Sequence, residues 1–269
     1  MKLAYSVPTP DSNVPLLAFC GDFKEDVKII KELGYDGIEL LVRNPRELSI
    51  VEITKVIERH NLQVAAVGTS PMQAQDKLTL LNSDSKVMEE ALTRTKSLVE
   101  FASNFNAPVC IGKFRGNVQA NGSCTLAALS EIFTEICAHA QKHHVQVLLE
   151  PQNNDNVNNL NSVEESLNWI AQIKCDNLGL LLDTYHMEFT EHSIAAGFLK
   201  AKDKIGFIHA SDSKRLVPGA GRINFADVLA TLNTIHYDNF ISLEIKQKPD
   251  SKTVAKISHD MLRYVNQLK

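Results

Sequence analysis

The sequence predicts one α/β domain, a (β/α)8 barrel spanning residues 1–269. Three observations carry that prediction. Short β-like apolar runs alternate with amphipathic helical stretches along the whole chain, as in a parallel sheet with helices packed outside it. The strand-like runs are almost continuously apolar, which requires burial on both faces. A length of 269 residues leaves little over once one barrel of about 250 residues is laid down. A doubly wound open sheet is the main rival, but the first strand-to-helix turn has no GxGxxG.

In chain order, LAYSV from Leu3 reads as the first strand, followed by DFKEDVKIIKELG, a helix with an acidic first turn and Gly34 at its C-terminal end. GIELLV from Gly37 is the second strand, and SIVEITKVIERHN the second helix, with Ser49 as N-cap. QVAAVG from Gln63 is the third strand. The long stretch SDSKVMEEALTRTKSLVEFASNF then has helical apolar spacing and reads as scaffold before the fourth strand, PVCIGKF from Pro108. VQVLLE from Val145, LGLLLD from Leu178, IGFIHA from Ile205 and FISLEI from Phe240 complete eight strands. No Pro, Gly and Ser linker divides the chain, and the short Asn-rich segment NNDNVNNLN is its only compositional bias.

Composition narrows the function classes. With 44% apolar and 22% charged residues, the chain can bury a core and has no signature of disorder. A net charge of -4 without a lysine run or basic stripe argues against a nucleic-acid partner. MKLAYSVPTPD has no continuous apolar signal core and no segment reaches membrane-span length, so the expectation is a cytoplasmic protein without a membrane partner. Cys20, Cys110, Cys124, Cys137 and Cys175 form no CxxC pair and read as reduced, mostly buried thiols.

The active site of such a barrel lies at the C-terminal ends of its strands. There the fifth strand ends in Glu150, the sixth in Asp183, the seventh in His209 and the eighth in Glu244. Three carboxylates crowded together repel one another unless a divalent cation holds them ionised. The set therefore calls for one metal, and oxygen-rich ligation with one imidazole puts Mn2+ first, with Mg2+, Co2+ or Zn2+ as alternatives. His186, three residues after Asp183, and Arg215, following His209 in ASDSKR, are expected to contact substrate oxygens. Lys113 and Arg115 lie just past the fourth strand and face the same rim, where they either reach substrate or stay solvated as loop cations usually do. The remaining histidines, His60, His139, His143, His144, His192, His236 and His259, are expected in structural or solvated positions on the outer segments.

With LLEPQN around Glu150, LLLDTYHM around Asp183, HASDSKRLVPGAGRINF around His209 and SLEI around Glu244, the chain resembles the xylose-isomerase-like TIM barrel superfamily. Within it, the resemblance is to the sugar phosphate isomerase/epimerase group that includes ketose 3-epimerases. The resemblance implies that Glu150, Asp183, His209 and Glu244 bind one divalent metal, and that Glu150 and Glu244 also act as acid and base. It implies that His186 and Arg215 touch substrate, and it matches PGAG at 218–221 to a glycine-containing loop after the seventh strand. The chain departs from many ketose 3-epimerases at Asn156, where they carry a glutamate. It also lacks the additional histidines that the DNA-repair branch uses for a three-zinc site, reading LLVRN, AVGTS, CIGKF and GRIN at those places.

The expected activity is isomerisation or epimerisation of a sugar or sugar-like polyol through a metal-stabilised enediolate, with two carboxylates serving its two faces. Alternatives are a metal-dependent dehydratase of the inosose or dehydroshikimate type and a non-catalytic ligand-binding barrel. The expected partner is a small-molecule sugar or polyol, and homo-oligomerisation stays open.

Overall fold

The computed structural model describes residues 1–13 and 17–267. Eight parallel strands pair in sequence order and close on themselves, β8 against β1: β1 (Lys2–Pro8), β2 (Gly37–Leu41), β3 (Gln63–Gly68), β4 (Val109–Ile111), β5 (Val147–Leu149), β6 (Leu178–Asp183), β7 (Ile205–Ala210) and β8 (Phe240–Leu243). Every predicted strand forms. β4, β5 and β8 end earlier than the apolar runs suggest, so Lys113 and Phe114 lie in a 3-10 turn, and Glu150 and Glu244 each stand one step beyond the strand.

Local capping places the outer helices where the sequence puts them. Asp22 accepts from the N–H groups of Lys24 and Glu25 at the start of helix Phe23–Glu32, and Ser49 accepts from Glu52 N–H ahead of Ile50–Arg59. Gly34, one residue beyond the first helix's C-cap, has φ 92°, a conformation that a side chain disfavours. Among the described residues no helix is long and apolar enough to cross a membrane.

The strand period of two separates the core into two parts. Residues facing outward join the helices in one large apolar layer, whereas Ala4, Ala65, Ala66, Cys110, Leu148, Leu181 and Phe207 form a second cluster inside the barrel. Small residues on β1 and β3 leave room for Leu148, Leu181 and Phe207 from the other side. Two residues further along the same strands, the inward positions become Ser6, Gly112, Glu150, Asp183 and His209. An apolar plug thus floors a polar mouth.

Leu148 is fully buried in that plug, two residues before Glu150. Leu148→Ala should lower stability by about 2–5 kcal/mol, measured by urea denaturation, because the closed wall cannot collapse onto the cavity.

Candidate active site

The strand ends converge. Glu150, Asp183, His209 and Glu244 each offer a ligand atom, and these four atoms lie within 4.8 Å of one another. Glu150 and Asp183 are almost fully buried. His209 Nδ1 stands 3.8 Å from Glu150 Oε1 and 3.6 Å from Glu244 Oε2. His209 Nδ1 and Glu150 Oε1 are both buried and have no hydrogen-bond partner among the described residues. Buried polar atoms are rarely left so, and two of them aimed at a shared point, one imidazole nitrogen and one carboxylate oxygen, are donors suited to a cation. The residues fit a divalent metal.

The sequence reading missed the group that orients His209. Glu39, in the middle of β2, is buried, and its Oε2 lies 3.0 Å from His209 Nε2. Ser6 Oγ at 2.7 Å and Ser242 Oγ at 3.0 Å donate to the same oxygen. Glu39 therefore accepts the Nε2 proton, which leaves Nδ1 as the electron-pair donor facing the carboxylates. A charged residue inside an otherwise apolar strand, GIELL, is the signal that could have revealed it.

Arg215 occupies the cluster as well. Its Nη1 pairs with Asp183 Oδ2 and, at 2.8 Å, with Glu244 Oε2, and its guanidinium stacks 4.2 Å from the Tyr185 ring centroid. Nη2 meets His186 Nε2 at 2.9 Å, while Asn153 N–H approaches His186 Nδ1 at 3.2 Å. A neutral imidazole accepts at one of these nitrogens and carries its proton on the other, whereas an imidazolium would turn a proton toward a donor on both sides. Burial first, then the Arg215 charge, hold the His186 pKa well below its usual value. Lys214 and Arg215 both adopt left-handed backbone, φ 62° and 63°. The loop holds that shape because the Asp212 carboxylate accepts N–H bonds from Ser213, Gly219, Gly221 and Ile223.

Burial pushes the Asp183 carboxyl above the ordinary carboxylate range, with Glu244 and Glu150 adding to the effect and Arg215 opposing it. Glu244 is driven the other way, because Arg215 and His209 outweigh its burial. Burial also works against the His209 imidazolium, but Glu39 and Glu244 beside it raise its pKa well above the usual value.

A cavity of about 380 Å³ opens above this cluster, lined by Leu41, Thr69, Lys113, Gln152, Arg215 and Glu244 among others. Lys113 is exposed at its mouth, as expected of a residue facing the rim. Arg115 is not there, contrary to expectation. It is wholly buried and donates to the carbonyls of Gly112, Glu150, Asn159 and Leu160 and to Asn159 Oδ1. Its burial pushes its pKa down to about 10. Arg115 ties the segment after β5 to the β4 turn and so sets the height of Glu150. Gly112 is needed beside them, because a Cβ there would stand 2.3 Å from Glu150 Oε2 and 2.6 Å from Gln152 Nε2.

The sequence profile of the xylose isomerase-like TIM barrel family matches residues 27–265. The chain belongs to that family. Among its relatives, an L-ribulose 3-epimerase of Methylomonas sp. (strain DH-1) is 27% identical over 78% of this chain and 74% of its own. A D-psicose 3-epimerase of Enterocloster bolteae is 24% identical over 90% and 83%. The solved structure of an L-ribulose 3-epimerase superposes with a TM-score of 0.82 at 20% identity, covering 99% of this chain and 95% of that one, a likeness of fold. In this member of the xylose isomerase-like family Asn156 lies in the segment after β5 and donates through Nδ2 to Gln152 Oε1 at 3.3 Å.

Two predictions follow from the geometry. Glu39→Gln should lower divalent-metal affinity by roughly 10–100-fold without unfolding the barrel, read by calorimetric titration and circular dichroism. Metal affinity should also fall with falling pH. His209 and Asp183 both hold protons to a higher pH than usual, and both must lose them to ligate. The ion therefore competes with protons across that range, and titrations in buffers of different ionisation enthalpy should show proton release.

Proposed function

We propose that the protein is a divalent-metal-dependent epimerase of a ketose, acting on the carbon next to the carbonyl. The observation that carries this reading is the pair of carboxylates, Glu150 buried after β5 and Glu244 partly buried after β8, within 4.8 Å of the His209 and Asp183 donors under a cavity of monosaccharide scale. The naming of its relatives as L-ribulose and D-psicose 3-epimerases supports the same chemistry. Glu150, Asp183, His209 and Glu244 would hold one cation, Mn2+ by first preference. When bound, that cation supplies positive charge to stabilise negative charge developing on substrate oxygens.

The chain's own groups do the rest. Glu150 and Glu244 approach from strands three apart in the wall, so one carboxylate can remove the carbon-bound proton from one face of the substrate and the other can return a proton to the opposite face. A positioned base of this kind contributes about 10²–10⁴-fold. Gln152 donates to Glu150 Oε2 and fixes the orientation of the carboxylate, with Oε1 facing the other donors. The low pKa of Glu244 keeps it ionised, and Arg215 offsets part of the combined charge of Glu244 and Asp183. Lys113 at the mouth would bind substrate hydroxyls, and His186, fully buried and held neutral beside Arg215, would position that guanidinium rather than line the cavity itself. Leu41 and Phe114 in the lining exclude water from the reacting carbon.

The test is a panel of ketoses incubated with the Mn2+-loaded protein in D2O, followed by NMR. Deuterium at the carbon beside the carbonyl and appearance of the epimer are expected, and chelation should stop both. Turnover by protein shown to be metal-free would remove the metal from the reading. Loss of water from a cyclic polyol, with no ketose exchanged, would replace epimerisation with dehydration. In the epimerase, Glu150→Gln and Glu244→Gln should each still exchange the proton of one epimer but not interconvert the two.

A further inference from the structure

Two of the histidines expected in bland outer positions do not stand alone. His139 lies in the helix Leu126–Lys142 and His143 at its C-cap, four residues apart and so on one face. Glu100 lies on the neighbouring helix Ser85–Ser103. One ligand atom of each of these three residues lies within 4.8 Å of the other two. The two imidazole centroids are 4.8 Å apart with their planes inclined by 42°. His139 Nε2 stands 3.3 Å from Glu100 Oε1 and yet makes no hydrogen bond, so the two atoms are close without pointing at each other.

Packing holds this arrangement in register. One helical turn earlier on each helix, Lys96 Nζ and Glu135 Oε1 pair at 2.5 Å, which sets Glu100 opposite His139. The Glu100 side chain is 56% exposed and free to rotate inward. Metal-ligand bonds of about 2.0–2.2 Å need donors closer together than 4.8 Å, and a rotamer change in such a side chain can supply the difference.

The geometry points to a second divalent-metal site on the outer helices, in which His139, His143 and Glu100 hold a borderline transition-metal ion such as Zn2+ and water completes the shell. Two imidazoles and one carboxylate favour Zn2+, Cu2+ or Ni2+ over Mg2+ or Mn2+. The donor set at the barrel mouth, three carboxylates and one imidazole, has the opposite bias. Because its ligands come from two helices, the outer site exists only in the packed barrel, and an ion bound there would clamp those helices together and stabilise the native state.

The experiment titrates Zn2+, and separately Cu2+, into the Mn2+-loaded protein and into His209→Ala, which removes a mouth donor and leaves the outer site intact. Both proteins should bind one outer equivalent, with a Cu2+ paramagnetic resonance spectrum showing two nitrogen donors. A hundredfold excess of Zn2+ over its Kd should raise the Tm by about 5 °C. His143→Ala should abolish that equivalent and its Tm gain. Glu100→Gln should weaken it by at least the roughly 10–100-fold that loss of even an outer partner costs a metal site. Ketose turnover should be unchanged in both, since neither residue touches the barrel mouth. The inference falls if no outer equivalent binds, or if one binds and survives His143→Ala or Glu100→Gln undiminished.

Discussion

Three carboxylates brought together where water is scarce cannot all stay ionised without positive charge among them. A pair of like charges about 4 Å apart costs about 4 kcal/mol at an effective dielectric of about 20. Around Glu150, Asp183 and Glu244 the protein supplies two positive or proton-holding groups of its own, the Arg215 guanidinium and the His209 imidazole. Much of the surrounding architecture serves to deliver them. The Asp212 turn holds Arg215 in left-handed backbone, Glu39 with Ser6 and Ser242 holds His209, and Arg115 holds the segment after Glu150. A divalent cation would enter a site whose charge is already partly compensated.

The same constraint explains the division of labour along each strand. A parallel barrel buries both faces of its wall, so inward side chains must be either apolar or fully partnered. The lower level takes the first course, with Ala4, Ala66, Leu148, Leu181 and Phe207 packed together. The upper level takes the second, because only the mouth has loops from which arginine, amides and backbone N–H groups can reach inward. Glu39 lies between the two levels. It is deep enough to need three partners and high enough to touch His209.

The outer cluster of Glu100, His139 and His143 shows the other place where chemistry gathers in this fold. Adjacent βα units carry their helices side by side in the same direction, so residues at helical spacing on neighbours face one another in rows. An ion pair at one level aligns the next. A donor set can arise there without disturbing the mouth, because the barrel wall lies between.

Strand order, helix caps and the four donors at the ends of β5 to β8 were legible in the sequence, because they depend on properties local to a few residues. These are apolar runs, an Asp or Ser ahead of a helix, and a polar residue where an apolar run stops. Lys113 at the mouth belongs with them, since its place follows from its strand. What the linear order could not reveal were relations between distant segments. Glu39 lies 170 residues from His209 and looks like a misplaced charge until barrel closure brings β2 within reach of β7. Arg115 has the composition of a rim residue, and only the path of the loop after β5 turns it inward. The sequence determined which atoms could do chemistry, and tertiary structure alone decided which partners they meet, because a hydrogen bond or ion pair depends on separation in space and not along the chain.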